Sequence, residues 1–130
     1  MIIGFGLDAV EIKRFVHWHN YKKNTLERVF SPQEIAYCLE GPLKSAERFA
    51  LRWATKEAFF KGVTQSIILG PLTLLQVCKA VSLEAQSNKT PKLTICWDML
   101  NIASPDVIVH PSFTHSNTVA VAALIFEAFN

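Results

Sequence analysis

The sequence predicts an α+β fold, an antiparallel sheet with a long central helix packed against it. Two observations support this. Helix signals fill the first half of the chain and apolar, β-branched runs fill the second, without the strand–helix–strand alternation of a parallel sheet. The strongest helix signal, SAERFALRWATKEAFFK at residues 45–61, contains no Pro or Gly and is long enough for about four turns. Half of the 130 residues are hydrophobic, and no linker, repeat or low-complexity tract interrupts them, so residues 1–130 read as a single domain. A domain of that length buries roughly two-thirds of its unfolded surface and forms a core without staples.

Residues 2–7 are rich in β-formers and read as a strand. Asp8-Ala9-Val10-Glu11 fits a helix N-cap followed three residues later by Glu. A helix is therefore predicted from Asp8 through Phe15 toward His19. Residues 20–24 are polar and loop-like, and residues 25–29 suit one short helical turn. Ser31-Pro32-Gln33-Glu34 is the clearest start signal. Ser31 caps, Pro32 takes the first helical position, Glu34 closes the capping box, and Phe30 and Ile35 are spaced for a hydrophobic staple. That helix is expected to reach Leu39 and stop before Gly41-Pro42, and the central helix to reach Lys61 or Gly62. Residues 74–85 read as a long strand, 87–90 as a turn and 91–96 as a second strand. Residues 97–103 suit a short helix with Pro105 beyond its end. Residues 107–114 and 119–126 read as two strands joined across Ser116-Asn117.

Bulk properties exclude several functions. A net charge of +2 and a pI near 8.5 are too mild to indicate nucleic-acid binding. No basic groove with interleaved aromatics is visible. The longest apolar run, residues 119–126, is too short to span a bilayer. The opening MIIGFGLDAV lacks a basic segment and meets an acid early, so it does not read as a signal peptide. Cys38, Cys78 and Cys96 are odd in number and widely spaced. They form no C-x-x-C pair and no zinc spacing with the histidines. They are expected to be reduced, buried thiols, which predicts a cytoplasmic location.

On a helical wheel of residues 45–61, Ala46, Ala50, Trp53, Ala54 and Phe60 fall on one side. Arg48, Arg52, Thr55 and Phe59 fall on the other, and Glu57 and Lys61 land in the middle of the small apolar side. A carboxylate placed there must be paired, hydrogen-bonded or metal-bound. The alternative is an ordinary i,i+4 surface pair. Asp8 likewise has helix capping as its alternative role. Together Asp8 and Glu57 offer two hard oxygen ligands of the kind that, with phosphate oxygens and water, hold Mg²⁺. Lys61, one turn past Glu57, could neutralise a phosphate.

The segment Gly4-Phe5-Gly6-Leu7-Asp8-Ala9-Val10-Glu11-Ile12-Lys13-Arg14 resembles the opening G-x-G-x-D-x-V-E-I-x-R of the holo-[acyl-carrier-protein] synthases. Arg52-Trp53-Ala54-Thr55-Lys56-Glu57-Ala58 resembles their R-F-A-x-K-E-A, with Lys61 at their following lysine. Val29-Phe30-Ser31-Pro32-Gln33-Glu34 and Tyr37-Cys38 resemble the segment between. Ser112-Phe113-Thr114-His115 resembles their S-x-S-H and precedes an alternating strand at Ala120 and Ala122. The likeness covers almost the whole chain in order.

The resemblance implies a 4′-phosphopantetheinyl transferase-like fold and transfer of phosphopantetheine from coenzyme A to a serine of apo acyl carrier protein. It further implies that Asp8 and Glu57 hold Mg²⁺ against the pyrophosphate. Lys61 would contact phosphate oxygens, and Arg52, Ser112 and His115 would contact coenzyme A. Glu57 and Lys61 are the implied catalytic residues, with the general base either Glu57 or a water on the metal. A homotrimer with sites between subunits is implied, so that His115 serves a neighbour's coenzyme A. The basic residues Lys13, Arg14, Lys22, Lys23 and Arg28, with only Glu11 and Glu27 nearby, form either a solvated face or a docking patch. The resemblance assigns Arg14 and Lys13 to the acidic carrier.

There are departures. After the lysine the family continues A-x-G-T-G, where this chain reads Gly62-Val63-Thr64-Gln65-Ser66 and lacks both later glycines. The family's turn glycine before Pro91 is Lys89, and the segment from the Pro91 strand to Ser112 is shorter. Two other readings follow: a non-catalytic α+β binding module, or another Mg²⁺-dependent phosphoryl-transfer enzyme such as a phosphatase or nuclease using the same carboxylates.

Overall fold

Strand β1 (Ile2–Glu11) is longer than the sequence pattern indicates and contains Asp8. Its ladder with β5 (Val119–Ala128) runs from Ile2 opposite Glu127 to Glu11 opposite Val119, and Ile12 N–H continues it to Thr118 O at 2.9 Å. The helix expected from Asp8 is therefore absent. Its place is taken by two 3₁₀ turns, Ile12–Phe15 and Trp18–Asn20. The local Asp8–Glu11 capping signal loses to a strand pairing that satisfies the backbone over the same residues. The computed structural model describes residues 1–65, 70–102 and 106–129.

Helix α1 (Lys23–Leu26) is a single turn that starts slightly before the expected one. Helix α2 (Pro32–Leu39) has the predicted cap: Ser31 Oγ accepts Glu34 N–H at 3.1 Å, and Glu34 Oε1 accepts Ser31 N–H at 2.9 Å. Helix α3 (Ser45–Val63) matches the central prediction. Residues 74–85 are divided, contrary to the expected single strand. Leu74–Ala80 is helix α4, and strand β2 begins only at Val81 (Val81–Gln86). The deciding signal is Thr73-x-x-Gln76, a second capping box, whose two bonds measure 3.2 and 2.8 Å. Strand β3 (Lys89–Ile95) returns antiparallel to β2 through Asn88, whose φ of 57° suits asparagine. A 3₁₀ turn covers Trp97–Met99, while Ala103 and Pro105 lie outside the described residues. Strand β4 (Val107–His115) closes a three-stranded sheet of order β1-β5-β4, separate from the β2-β3 pair. Pro111 is tolerated because β4 is an edge strand.

Helix α3 packs against β1 and β5 and also against α2, α4 and β2. Burial consequently surrounds it: Ala50, Ala54 and Ala58 are buried, and so are Phe49, Arg52, Thr55, Lys56 and Phe59. The one-sided wheel is corrected here, since Glu57 is only half-buried while Arg52 and Lys56 are fully buried. Contact with β1 is at backbone distance. A Cβ on Gly6 would lie 1.7 Å from Ala58 O, and one on Gly62 would lie 2.2 Å from the Phe126 ring. The first G-x-G motif thus lets a strand lie directly on the helix that carries Glu57 and Lys61.

Cys38 and Cys78 are buried free thiols, raised by desolvation to about 12 and about 11 respectively. Cys96 departs from expectation and is exposed.

Candidate active site

The inward positions of β1 are Gly4, Gly6, Asp8 and Val10, which alternate with exposed residues. Two glycines ahead of Asp8 bring its carboxylate down onto α3, where Lys61 Nζ donates to Asp8 Oδ1 at 2.8 Å and to Leu7 O at 3.2 Å. Asp8 is 7% exposed, and its Oδ2 is buried without a hydrogen-bond partner. Glu57 lies one turn before Lys61 and faces Asp8. Burial, the charge of Asp8 and a hydrogen bond that only the protonated acid can donate to Asp8 push the Glu57 carboxyl up. Lys61 and Arg14 pull it down by a smaller amount. The hydrogen bond to Asp8, together with the two carboxylate charges, holds the Lys61 ammonium above its ordinary range despite some desolvation. When Glu57 is ionised it gives Asp8 no proton. Two carboxylates then converge with a buried oxygen left over, and that arrangement fits a cation.

Among the described residues no three His, Cys, Asp or Glu side chains gather as a closed metal cage. Two carboxylates suit Mg²⁺ nonetheless, because that ion ordinarily retains waters and takes substrate phosphate oxygens.

Within one chain the other expected coenzyme residues do not join this pair. Arg52 is 2% exposed, its Cζ 4.7 Å from the Tyr37 ring centre, and it donates from Nη1 to Arg48 O at 3.3 Å. Its Nε and Nη2 are buried without partners. His115 Nε2 lies 3.3 Å from Glu47 Oε1. Arg52 and His115 line a cavity of about 320 Å³ together with Lys44, Arg48, Thr90 and Pro91. Ser112 is opposite Ala123 on the exposed face of the three-stranded sheet. Lys13, Arg14, Lys22, Lys23 and Arg28 are all exposed, and Lys13 also meets Glu11 at 3.1 Å. Arg14 follows the end of β1 rather than riding a helix, yet its charge still reaches Glu57.

Two features were not read from the sequence. Lys56, beside Glu57, turns inward to Glu34 Oε1 at 2.9 Å and donates to Cys78 O at 3.0 Å and to Val81 O. Glu34 Oε2 accepts Leu83 N–H at 3.0 Å, so one buried ion pair joins α2, α3, α4 and β2. The second feature follows Lys61, where glycines were expected. Here α3 continues to Val63 and Thr64 Oγ1 bonds back to Phe60 O at 2.8 Å. Gln65 then accepts Phe5 N–H at 2.9 Å and donates to Phe5 O at 2.8 Å. Ser66 lies outside the described residues.

A model of the 4′-phosphopantetheinyl transferase superfamily matches residues 4–115, which include every residue of the Asp8–Glu57–Lys61 group. The chain belongs to the 4′-phosphopantetheinyl transferase superfamily. Its curated relatives in the superfamily include the holo-[acyl-carrier-protein] synthase of Treponema denticola, 33% identical over 129 residues, 98% of this chain and 99% of that protein. The holo-[acyl-carrier-protein] synthase of Geobacter sulfurreducens is 32% identical, covering 98% of each chain. Among solved transferases, a holo-(acyl-carrier-protein) synthase from Bacillus anthracis in complex with CoA (3′,5′-ADP) superposes with a TM-score of 0.71, 27% identity and 99% of each chain covered. The ACPS–CoA complex of Chronobacterium ammoniagenes gives 0.74, 25% and 97% of each chain. The resemblance drawn from the motifs and the α+β fold are both borne out.

Proposed function

We propose that this transferase moves the 4′-phosphopantetheine group of coenzyme A onto a serine of apo acyl carrier protein, in a Mg²⁺-dependent step of fatty acid biosynthesis carried out by residues 1–130 as one domain. The observation that supports it is the buried, unpartnered Asp8 Oδ2, on a carboxylate that interacts with Glu57 and pairs with Lys61. Asp8 and Glu57 would hold the metal, which when bound supplies charge neutralisation at the pyrophosphate. Lys61 orients Asp8 and presents its ammonium to phosphate oxygens. The carrier serine oxygen attacks the β-phosphorus, the bond to the bridging oxygen breaks, and adenosine 3′,5′-bisphosphate leaves. Ionised Glu57, or a water on the metal, would accept the serine proton. The missing glycines, which motivated the reading as a binding module, leave this group of side chains intact.

The test is mass spectrometry of apo carrier protein after incubation with coenzyme A, Mg²⁺ and the chain. A gain of one phosphopantetheine is expected, and an unchanged carrier mass would sink the reading. A cytoplasmic location is part of the same proposal and accords with the free thiols.

The separation of Arg52 and His115 from Asp8 is reconciled by a homotrimer in which one copy's cavity receives the nucleotide end of a coenzyme held at its neighbour's carboxylates. The outer face of the three-stranded sheet supports that assembly. Phe5, Leu7, Ile108 and Ile125 lie on it, 47%, 50%, 49% and 37% exposed, and Ser112 lies among them. Light scattering is expected to give three times the chain mass, and a monomer at micromolar concentration would reject it.

Arg14 and Lys13 are assigned to the carrier. Arg14→Glu is expected to raise KM for the carrier about tenfold, to leave coenzyme A binding nearly unchanged, and wild-type activity is expected to fall as salt rises. Weakened coenzyme A binding with an unaltered carrier KM would show that the patch has the other ligand.

A further inference from the structure

Strand β1 is an edge strand, so one row of its backbone N–H and C=O groups has no strand partner. The last turn of α3 and the residues just past it take up that row. Lys61 Nζ reaches Leu7 O and Asp8 Oδ1, and Gln65, two residues beyond the end of α3, meets both polar groups of Phe5. The amide of Gln65 mimics a strand residue, donating and accepting at once. Phe5 is half-exposed, and Lys61 has a side chain 52% exposed. Gly4 and Gly6 lie against the backbone of Gly62 and Ala58, and the side-chain bonds of Lys61 and Gln65 add directional ties to that packing. A lysine can hold one geometry only from a fixed backbone, and a fixed helix end removes the backbone freedom that would otherwise have to be lost as well. The bidentate clasp occurs in the very segment where this chain departs from its family's glycines.

Resting on the proposed transferase reading, we propose that Gln65 is a positioning residue for Lys61: its two-bond clasp on Phe5 seats the end of α3 against the β1 edge and so presets the ammonium that meets the phosphates. Gln65 itself touches no reacting atom. In this chain a side-chain clasp provides the placement of the turn, rather than a glycine loop.

Gln65→Met keeps the length of the stem and removes both hydrogen bonds. It is expected to lower kcat/KM for coenzyme A about tenfold while leaving KM for the carrier unchanged. Gln65→Glu keeps the acceptor only. As a carboxylate it repels Phe5 O, and as an acid it restores the donor. Its kcat/KM, divided by that of the wild type at the same pH, is therefore expected to rise as pH falls from about 7 to about 4.5, through the ordinary glutamate range. Wild-type kcat/KM in Gln65→Met, or a lowered thermal midpoint with unaltered kinetics, would overturn the proposal by making the clasp merely structural. If Gln65→Met does not fold, the pH ratio of Gln65→Glu decides, and a flat ratio rejects it. If the wild type itself transfers nothing, the functional reading fails. The clasp is then judged by calorimetry of coenzyme A, where equal affinities for wild type and Gln65→Met overturn it.

Discussion

Glu57→Gln is expected to abolish phosphopantetheine transfer, by about a thousandfold or more, while the protein stays folded. The side chain is half-buried and nearly isosteric with its replacement, and Lys61 still pairs with Asp8 in the variant. What is lost is the second negative oxygen ligand and the candidate base together. Asp8 alone, already shared with Lys61, is a poor site for a divalent ion. Acid should mimic the substitution. Burial and Asp8 raise the Glu57 pKa, so its proton competes with Mg²⁺ at a higher pH than at an ordinary glutamate. In the proposed site ionised Glu57 would be the form that binds the ion, so apparent Mg²⁺ affinity should fall as pH falls through that raised value. Activity titrations with Mg²⁺ at several pH values, alongside circular dichroism, check both. Wild-type transfer by Glu57→Gln at any Mg²⁺ concentration would remove Glu57 from the site.

The second large effect is on stability. Lys56→Met should cost about 3–5 kcal/mol, because it strands the Glu34 carboxylate in the interior. Lys56 and Glu34 are each 1% exposed, and the lysine also satisfies the carbonyls of Cys78 and Val81. A loss of that size is a large share of the about 5–15 kcal/mol that holds an ordinary domain together. Lys56→Met combined with Glu34→Gln should recover much of it, since the buried charge is gone and the glutamine oxygen still accepts from Ser31 or Leu83. Urea unfolding of wild type, single and double variants measures the difference. A single variant within about 1 kcal/mol of wild type would mean that the pair is not a stabilising junction.

Glu57 and Lys56 are neighbours in sequence with opposite fates, and that contrast shows where local reading ends. Ser31-Pro32-Gln33-Glu34 is a local signal whose bonds form within four residues, so the start of α2 could be read from the chain alone. The uninterrupted segment that became α3 and the motif residues Asp8, Glu57 and Lys61 were legible for the same reason, since type and spacing carried them. Asp8-Val10-Glu11 looked equally local, yet the competing partner was Val119–Ala128, more than a hundred residues away, and the strand ladder won. Residues 74–85 held both a capping box and a β-branched run, and tertiary packing divided them between α4 and β2. Lys56 and Arg52 could not be recognised as buried, because α3 is covered by elements from both ends of the chain and a wheel assumes one wet side. Gln65 gave no sign at all, since its partner is the backbone of Phe5, and a backbone edge has no sequence. Residue type and spacing therefore pointed to the groups proposed for the chemistry. The tertiary structure decided which of them meet, because burial and edge pairing depend on segments that lie far apart along the chain.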